Sequence, residues 1–178
     1  PEDFTFAGAD ISASTGNVRF FAAAREAVGI RTNTGDIRVE SISAGSLDLS
    51  VATGTVTVAD VTCQGEIAVG VSTGKAALTD VSCRSITSDG TTGDITIYHV
   101  IAAGRLSVGR STGNVRFTGC DAAELYVNTT TGNVTGSLLT DKVLITDTRT
   151  GRVNVPQATS GGRCEIRTTT GDIQIEIE

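Results

Sequence analysis

The chain has no Trp and no Met, and only two Tyr, five Phe and two Pro among 178 residues. Globular cores lean on aromatic bulk. A core made instead from Val, Ile, Leu and Ala must be narrow and regular. Scarce Pro leaves strands free to run without interruption. The single His and four Cys show no C-x-x-C spacing, which excludes the usual zinc and redox motifs. No apolar run reaches the roughly 18 residues of a membrane span, so this segment is not expected to insert into a bilayer. Basic residues are outnumbered, 14 Lys and Arg against 20 Asp and Glu, for a net charge of −6. That excludes the basic face a nucleic-acid partner needs. No signal peptide is visible. The chain opens on Pro1 rather than Met, so a signal or anchor segment is expected to have been trimmed away.

What is present is a repeat. Thr-Gly pairs end at Gly16, Gly35, Gly54, Gly74, Gly93, Gly113, Gly132, Gly151 and Gly171, in steps of 19 or 20 residues. Such a period marks stacked units that share one core. Apolar columns follow when the chain is aligned on these glycines. Two residues after the Gly stand Val18, Ile37, Val56, Ala76, Ile95, Val115, Val134, Val153 and Ile173. Four after, the column runs from Phe20 through Val58 and Phe117 to Ile175 and breaks at Gly136. Seven after, it includes Ala23, Val61, Cys120, Leu139 and Ala158. The columns seven and five before the Gly are apolar too, broken at Ser88 and Thr146. Polar or small residues such as Arg38, Thr57 and Arg116 alternate with them. Period-two alternation of β-branched residues is the signature of half-buried strands.

Each coil therefore reads as two short strands, with a corner at the Thr-Gly and a looser turn opposite. The fold expected is all-β: one domain over residues 1–178, a parallel β-solenoid of nine coils, right-handed as parallel crossovers are. Coils stacked at strand spacing, about 4.8 Å, give a rod about 40 Å long. The three 20-residue coils each carry a Gly eleven residues on, at Gly65, Gly104 and Gly162. The extra residue reads as a one-residue bulge, with Gly supplying φ > 0. The C-terminal Ile173–Glu178 segment, with Glu176 and Glu178 outward, reads as an exposed edge strand protected by charge.

Candidate sites divide into chemistry and structure. The periodic Thr column could form an ice-binding ladder of the kind found in antifreeze solenoids, and four coils read Thr-x-Thr. The structural alternative is preferred: these hydroxyls bond the turn backbone. Asn17, Asp36, Asp94, Asn114, Asn133 and Asp172 follow the Gly. The Gly-Gly-x-Gly-x-Asp pattern of calcium repeats is absent, so they read as turn residues. Asp60 and Asp80 occupy matching positions on adjacent coils, where they could share a cation but are expected to be solvated. His99, beside Tyr98, has no ligand partner in sequence and reads as a surface residue. Cys120 and Cys164 fall in apolar columns and are expected to be buried thiols. Cys63 and Cys83 lie on adjacent coils within disulfide reach, but side chains in register point the same way, which disfavours the bond. No catalytic, cofactor-binding or metal-binding residue is assigned.

The recurring Ser/Thr-Thr-Gly-Asn/Asp-Val/Ile is carried best by Ser14–Val18, Thr91–Ile95 and Thr169–Ile173. It resembles the bacterial adhesin-type β-solenoid domain family of unknown function, across essentially the whole chain. Thr55, Lys75 and Arg152 depart from its Asn/Asp preference. The resemblance implies a non-catalytic cell-surface or envelope module, an adhesin or structural spacer, with a host or matrix protein or a glycan as partner and no cofactor. Two other readings are a β-helical polysaccharide-active enzyme and a self-assembling envelope or cytoskeletal polymer. Turns that vary by one residue build no groove walls for the first, and the charged terminal strand disfavours the second.

Overall fold

The computed structural model describes residues 5–178. It is an all-β parallel solenoid with a single fourteen-stranded sheet wound around the axis. Column residues pair with their counterparts one coil away: Ile37 with Val56, Leu47 with Ile67, Gly54 with Gly74, Ala76 with Ile95. Most residues of the columns read from the sequence form the core, although Val153 and Leu139 are exposed. Val56, Val58, Leu78, Ile95, Phe117 and Leu125 are fully buried. Each such side chain contributes about 1.5–3 kcal/mol, so stability grows with the number of stacked coils.

The periodic glycines make one corner. All nine take left-handed φ between 127° and 158°. The Gly35 N–H donates to the Thr53 carbonyl of the next coil at 3.0 Å. A Cβ on Gly74 would lie 1.8 Å from the Gly54 carbonyl oxygen. Both the conformation and the close approach demand Gly.

A second corner was not legible in the sequence. Six residues after the Gly, Ser41, Asp60, Asp80 and His99 take φ of 49–52°, and Gly119 takes 58°. The coil therefore has three short sides rather than two strands and a loose turn. Further inward columns appear: Val51 and Val71 three before the Gly, and Ala44, Cys63, Cys83, Ala102 and Ala122 nine after.

The 20-residue coils do carry their extra residue in the turn before the next coil. The register slips between Ala102 and Arg105, on either side of Gly104. Gly65, Gly104 and Gly162 are not among the positive-φ residues, however. Their glycine answers a close approach instead. A Cβ on Gly65 would lie 2.7 Å from the Gly45 oxygen, and one on Gly162 2.4 Å from the Ala123 oxygen.

The order of coils departs from the sequence at the end. The Gly132 coil does not stack on the Gly151 coil. Val134–Leu138 pairs with Ile173–Ile177, and Arg163–Thr170 pairs with Glu124–Thr131. On its other face the Gly171 coil pairs with Lys142–Thr150 and Val153–Asn154. The last coil is thus inserted between the two before it, and the Gly151 coil forms the end of the rod. Ile173 and Gln174 are paired on both sides, whereas Ile175–Ile177 pairs only with the Gly132 coil, so the expected exposed edge is confined to the end of that strand. The longer edge is Lys142–Thr150, and Val143, Ile145 and Val153 are 37%, 42% and 44% exposed there. The crossover out to the Gly151 coil is pinned by Lys142. Its ammonium, almost wholly buried, meets Asp121 at 2.6 Å and donates to the Thr140 hydroxyl. Those contacts, with the Ala122 N–H, hold the Asp121 carboxyl below its usual range despite the opposing pull of desolvation.

The column seven after the Gly also shifts. Leu138, not Leu139, fills it in the Gly132 coil, where Leu138 pairs with Cys120. The left-handed corner residue is missing from that coil, so everything after it moves up by one. Ala24 rather than Ala23 is the buried residue in the first coil.

Candidate functional site

The Asn and Asp after the periodic Gly form a hydrogen-bonded ladder along the corner. The Asn17 Oδ1 accepts the Asp36 N–H at 3.0 Å, and the Asp36 Oδ1 accepts the Thr55 N–H at 2.9 Å. Farther on, Asp94 accepts from Asn114, and Asn114 from Asn133. Asn133 then accepts from Asp172, and Asp172 from Arg152. Each side chain satisfies a backbone donor of the next coil, the same role an Asx turn plays locally. The departures acquire a cause. Arg152 ends the ladder, since among the described residues no coil lies beyond it. Thr55 and Lys75 interrupt the ladder in mid-rod.

The threonines divide into two columns. The nine periodic Thr side chains are exposed along the corner. The turn backbone is bonded instead by inward threonines two residues earlier. Thr148 donates to the Gly171 carbonyl at 3.1 Å and Thr168 to the Gly132 carbonyl at 3.2 Å. The Thr-x-Thr coils are those in which this inward position is Thr rather than Val.

The second corner gathers Asp60, Asp80 and His99 on successive coils. His99 Nδ1 lies 3.3 Å from Asp80 Oδ1, both about half exposed, and its ring sits 3.9 Å from Tyr98. His99 is on the surface as expected, but it has a carboxylate neighbour that the sequence did not reveal. Farther along, Ser137 accepts the Gly119 N–H at 2.9 Å and donates to Glu178. Among the described residues, no group of three or more His, Cys, Asp or Glu is arranged to hold a metal ion.

All four cysteines are buried free thiols. Burial pushes the Cys83 thiol up to about 12, with the neighbouring Cys63 adding to the shift. Burial likewise pushes Cys164 up to about 12. The expected burial of Cys120 and Cys164 holds, and Cys63 and Cys83 are unbridged.

Arg110 accounts for two breaks in the columns. It sits three before Gly113, points inward and is 5% exposed. Its Nη2 donates to the Ser88 hydroxyl at 3.1 Å, the polar member of an apolar column. Room for the guanidinium comes from Gly90, where a Cβ would lie 1.8 Å from Nη1. Desolvation lowers the Arg110 pKa, and Asp89 opposes that shift. Gly136 is explained in the same way: its missing side chain is replaced by the Phe117 ring, 2.4 Å from where a Cβ would stand.

Residues 65–178, well over half of the chain, match the Toastrack DUF4097 family. The chain belongs to this family. No curated protein and no solved structure matches. In this Toastrack chain the matched part holds the coils from Gly74 onward, including the inserted one.

The outer surface of the second side, two to six residues after the Gly, carries two open polar hollows. One hollow of about 330 Å³ lies between Arg116, Thr118, Ser137 and Glu176. A second, also about 330 Å³, lies between Asp94, Asn114, Asn133 and Arg116. Arg116 and Thr135 line both. On the first side, Tyr126 lies between Arg105 and Arg163, with guanidinium carbons 5.1 and 5.9 Å from its ring centre. Arg105 is paired with Glu124, and Arg163 with Glu165. Sequence reasoning missed both surfaces, because their members come from different coils and carry no shared motif.

Proposed function

We propose that this chain is a non-catalytic cell-surface or envelope module that binds an extended partner, a glycan or matrix protein, along its flat faces. The observation that carries this reading is the use of the repeated acids. Asp36, Asp94 and Asp172 accept backbone N–H groups of the next coil at 2.8–2.9 Å, so they hold the rod together. Catalysis needs titratable groups converging in a water-excluding pocket. The hollows here lie open on flat faces, and repeating faces suit many weak contacts. The test presents the whole chain to an array of glycans and matrix proteins, beside turnover assays on polysaccharides. Binding without turnover is expected. Turnover lost on Asp80→Asn or His99→Gln would overturn it in favour of an enzyme.

End-to-end assembly is the second reading. The Gly151 coil covers Ile173 and Gln174 at the start of the charged strand that argued against it, and this end coil exposes Val143, Ile145 and Val153. Sedimentation across a range of concentrations tests it: mass that grows with concentration and is lost in Ile145→Lys is the expected sign.

A further inference from the structure

The second-side hollows have a composition that selects a ligand. Along the rod, Thr96, Arg116, Thr135 and Gln174 form the middle row, since Thr96 pairs with Arg116, Arg116 with Thr135 and Thr135 with Gln174. One flank is the amide and carboxylate ladder of Asp94, Asn114 and Asn133. The other flank is hydroxylic, Thr118 and Ser137, and begins at Tyr98, which pairs with Thr118 and is 41% exposed.

The polar groups on the flanks are already oriented. The Asp94 carboxylate is held by the Asn114 N–H and side-chain amide. Asn114 in turn meets Asn133, and Ser137 is fixed by Gly119 and Glu178. Glu176 accepts from Gln174 at 3.3 Å. A rigid set of paired hydroxyls, amides and carboxylates around a shallow, open depression with an aromatic at one end suits sugar hydroxyls. Little ordering cost would remain on the protein side when such a ligand bound.

Arg116 is the cationic side chain of both hollows, facing Glu176 across one and Asp94 across the other. It is exposed, and its guanidinium makes no hydrogen bond or ion pair among the described residues, while lining both hollows. Arg38, in the same column four coils away, is closed off by Glu40 at 2.5 Å. A free guanidinium between two hollows offers a planar fork of donors to a carboxylate.

We infer that the second-side face of the Gly93 to Gly171 coils is a binding site for an acidic oligosaccharide, with a uronate carboxylate on Arg116 and flanking sugars over Thr135 and toward Tyr98. The inference rests on the binding-module reading and narrows it to one face and one ligand class.

The experiment is titration calorimetry of the whole chain with a galacturonate tetramer, its methyl ester and a neutral cello-oligosaccharide of equal length. The acid should bind and the two uncharged sugars should bind at least tenfold more weakly. Arg116→Gln should weaken the acid at least tenfold, and Arg38→Gln should change it less than twofold. Circular dichroism and melting of Arg116→Gln should match the parent, since the side chain supports nothing else. Failure of the tetramer to bind, equal binding of the neutral sugar, or an Arg116→Gln variant that binds normally would each overturn the site. Glycan or matrix binding that survives Arg116→Gln on an array would overturn this face while leaving the binding-module reading in place. Absence of any array ligand would overturn both.

Discussion

The coils from Gly35 to Gly113 and the three that follow are built from one repeat, yet they stack by different rules. In the first group chain order and spatial order agree, every coil has a neighbour on both sides, and the columns are sealed. In the second group the Gly171 coil lies between Gly132 and Gly151. The left-handed second corner is lost after Gly119, and the end coil leaves Val153 44% exposed although Ile37, Val56, Ile95, Val134 and Ile173 in its column are buried. Identical columns thus do not fix which coil follows which. The exceptions fit that order: a polar Thr146 in an apolar column and an Arg152 that accepts no backbone N–H both fall in the end coil, where, among the described residues, nothing stacks beyond them.

The sharpest test of that difference puts the same change at the same column position in the two regions. Val56→Asp buries an unpaired carboxylate between two coils and should cost about 3–5 kcal/mol, the scale of an uncompensated buried charge. Val153→Asp places it at the open end and should cost less than about 1 kcal/mol. Urea unfolding of the two variants measures both. Similar midpoints would mean that the end coil is covered after all.

Coil order itself can be broken by deletion. Removing residues 142–160 joins the Gly132 coil directly to the Gly171 coil and restores ordinary succession, so most of the stability should remain. Removing residues 161–178 takes out an inner slab and leaves the Gly151 coil with no matched surface. Thermal melting should therefore drop more for the C-terminal truncation. In a solenoid stacked in chain order the truncation would remove only an end coil and would be the milder change.

Much of the interior was legible in the sequence, because strand periodicity and the Thr-Gly spacing are local signals repeated nine times. Val56, Leu78 and Ile95 needed no more than that. The second corner was hidden because Ser41, Asp60, Asp80 and His99 share a backbone conformation and no side-chain type. The binding face was hidden for a related reason. Arg116, Asn133 and Gln174 meet only through the stacking order, and Gln174 reaches that surface only because the last coil is inserted. Ser88, Gly90 and Arg110 looked like unrelated irregularities, since their connection runs along the axis.

That axial connection predicts the next effects in size. Removing the hydroxyl in Ser88→Ala leaves a buried guanidinium with one fewer partner and should cost about 1–3 kcal/mol. Arg110→Met fills the same space without charge and should be neutral or stabilising. If both variants lose stability equally, the guanidinium is better satisfied than its surroundings indicate. The buried thiols add a pH dependence. Their folded pKa values lie above the ordinary value of 9.0, with Cys83 and Cys164 near 12. Above pH 9 the unfolded chain releases protons that the folded chain keeps, so unfolding becomes more favourable. Stability should fall from about pH 9 toward 12, and less steeply in Cys83→Ala with Cys164→Ala. A slope unchanged in the double variant would assign the effect to other groups.

The smallest effect concerns the gap in the acceptor ladder within the ordered region. Asn17, Asp36, Asp94, Asn114, Asn133 and Asp172 each receive a backbone N–H from the coil above. Lys75 occupies the same position beneath Asp94, and an ammonium has donors only. Lys75→Asn should place an amide oxygen under the Asp94 N–H and raise stability by about 0.5–1.5 kcal/mol, the net value of one added hydrogen bond. Asn114→Ala, which opens a second gap under Asn133, should lower stability by a similar amount. Hydrogen exchange reads both directly: slower exchange at the Asp94 amide in the first variant, faster at the Asn133 amide in the second. The same Lys75→Asn change also removes a positive charge from a chain whose net charge is −6, which opposes the gain. Comparing it with Lys75→Gln separates the two contributions, because Gln removes the charge equally while its longer side chain misses the short reach that places Oδ1 under the next coil. Equal stability of the Asn and Gln variants would show that the ladder is decoration on corners already held by the Gly-to-Thr backbone bonds.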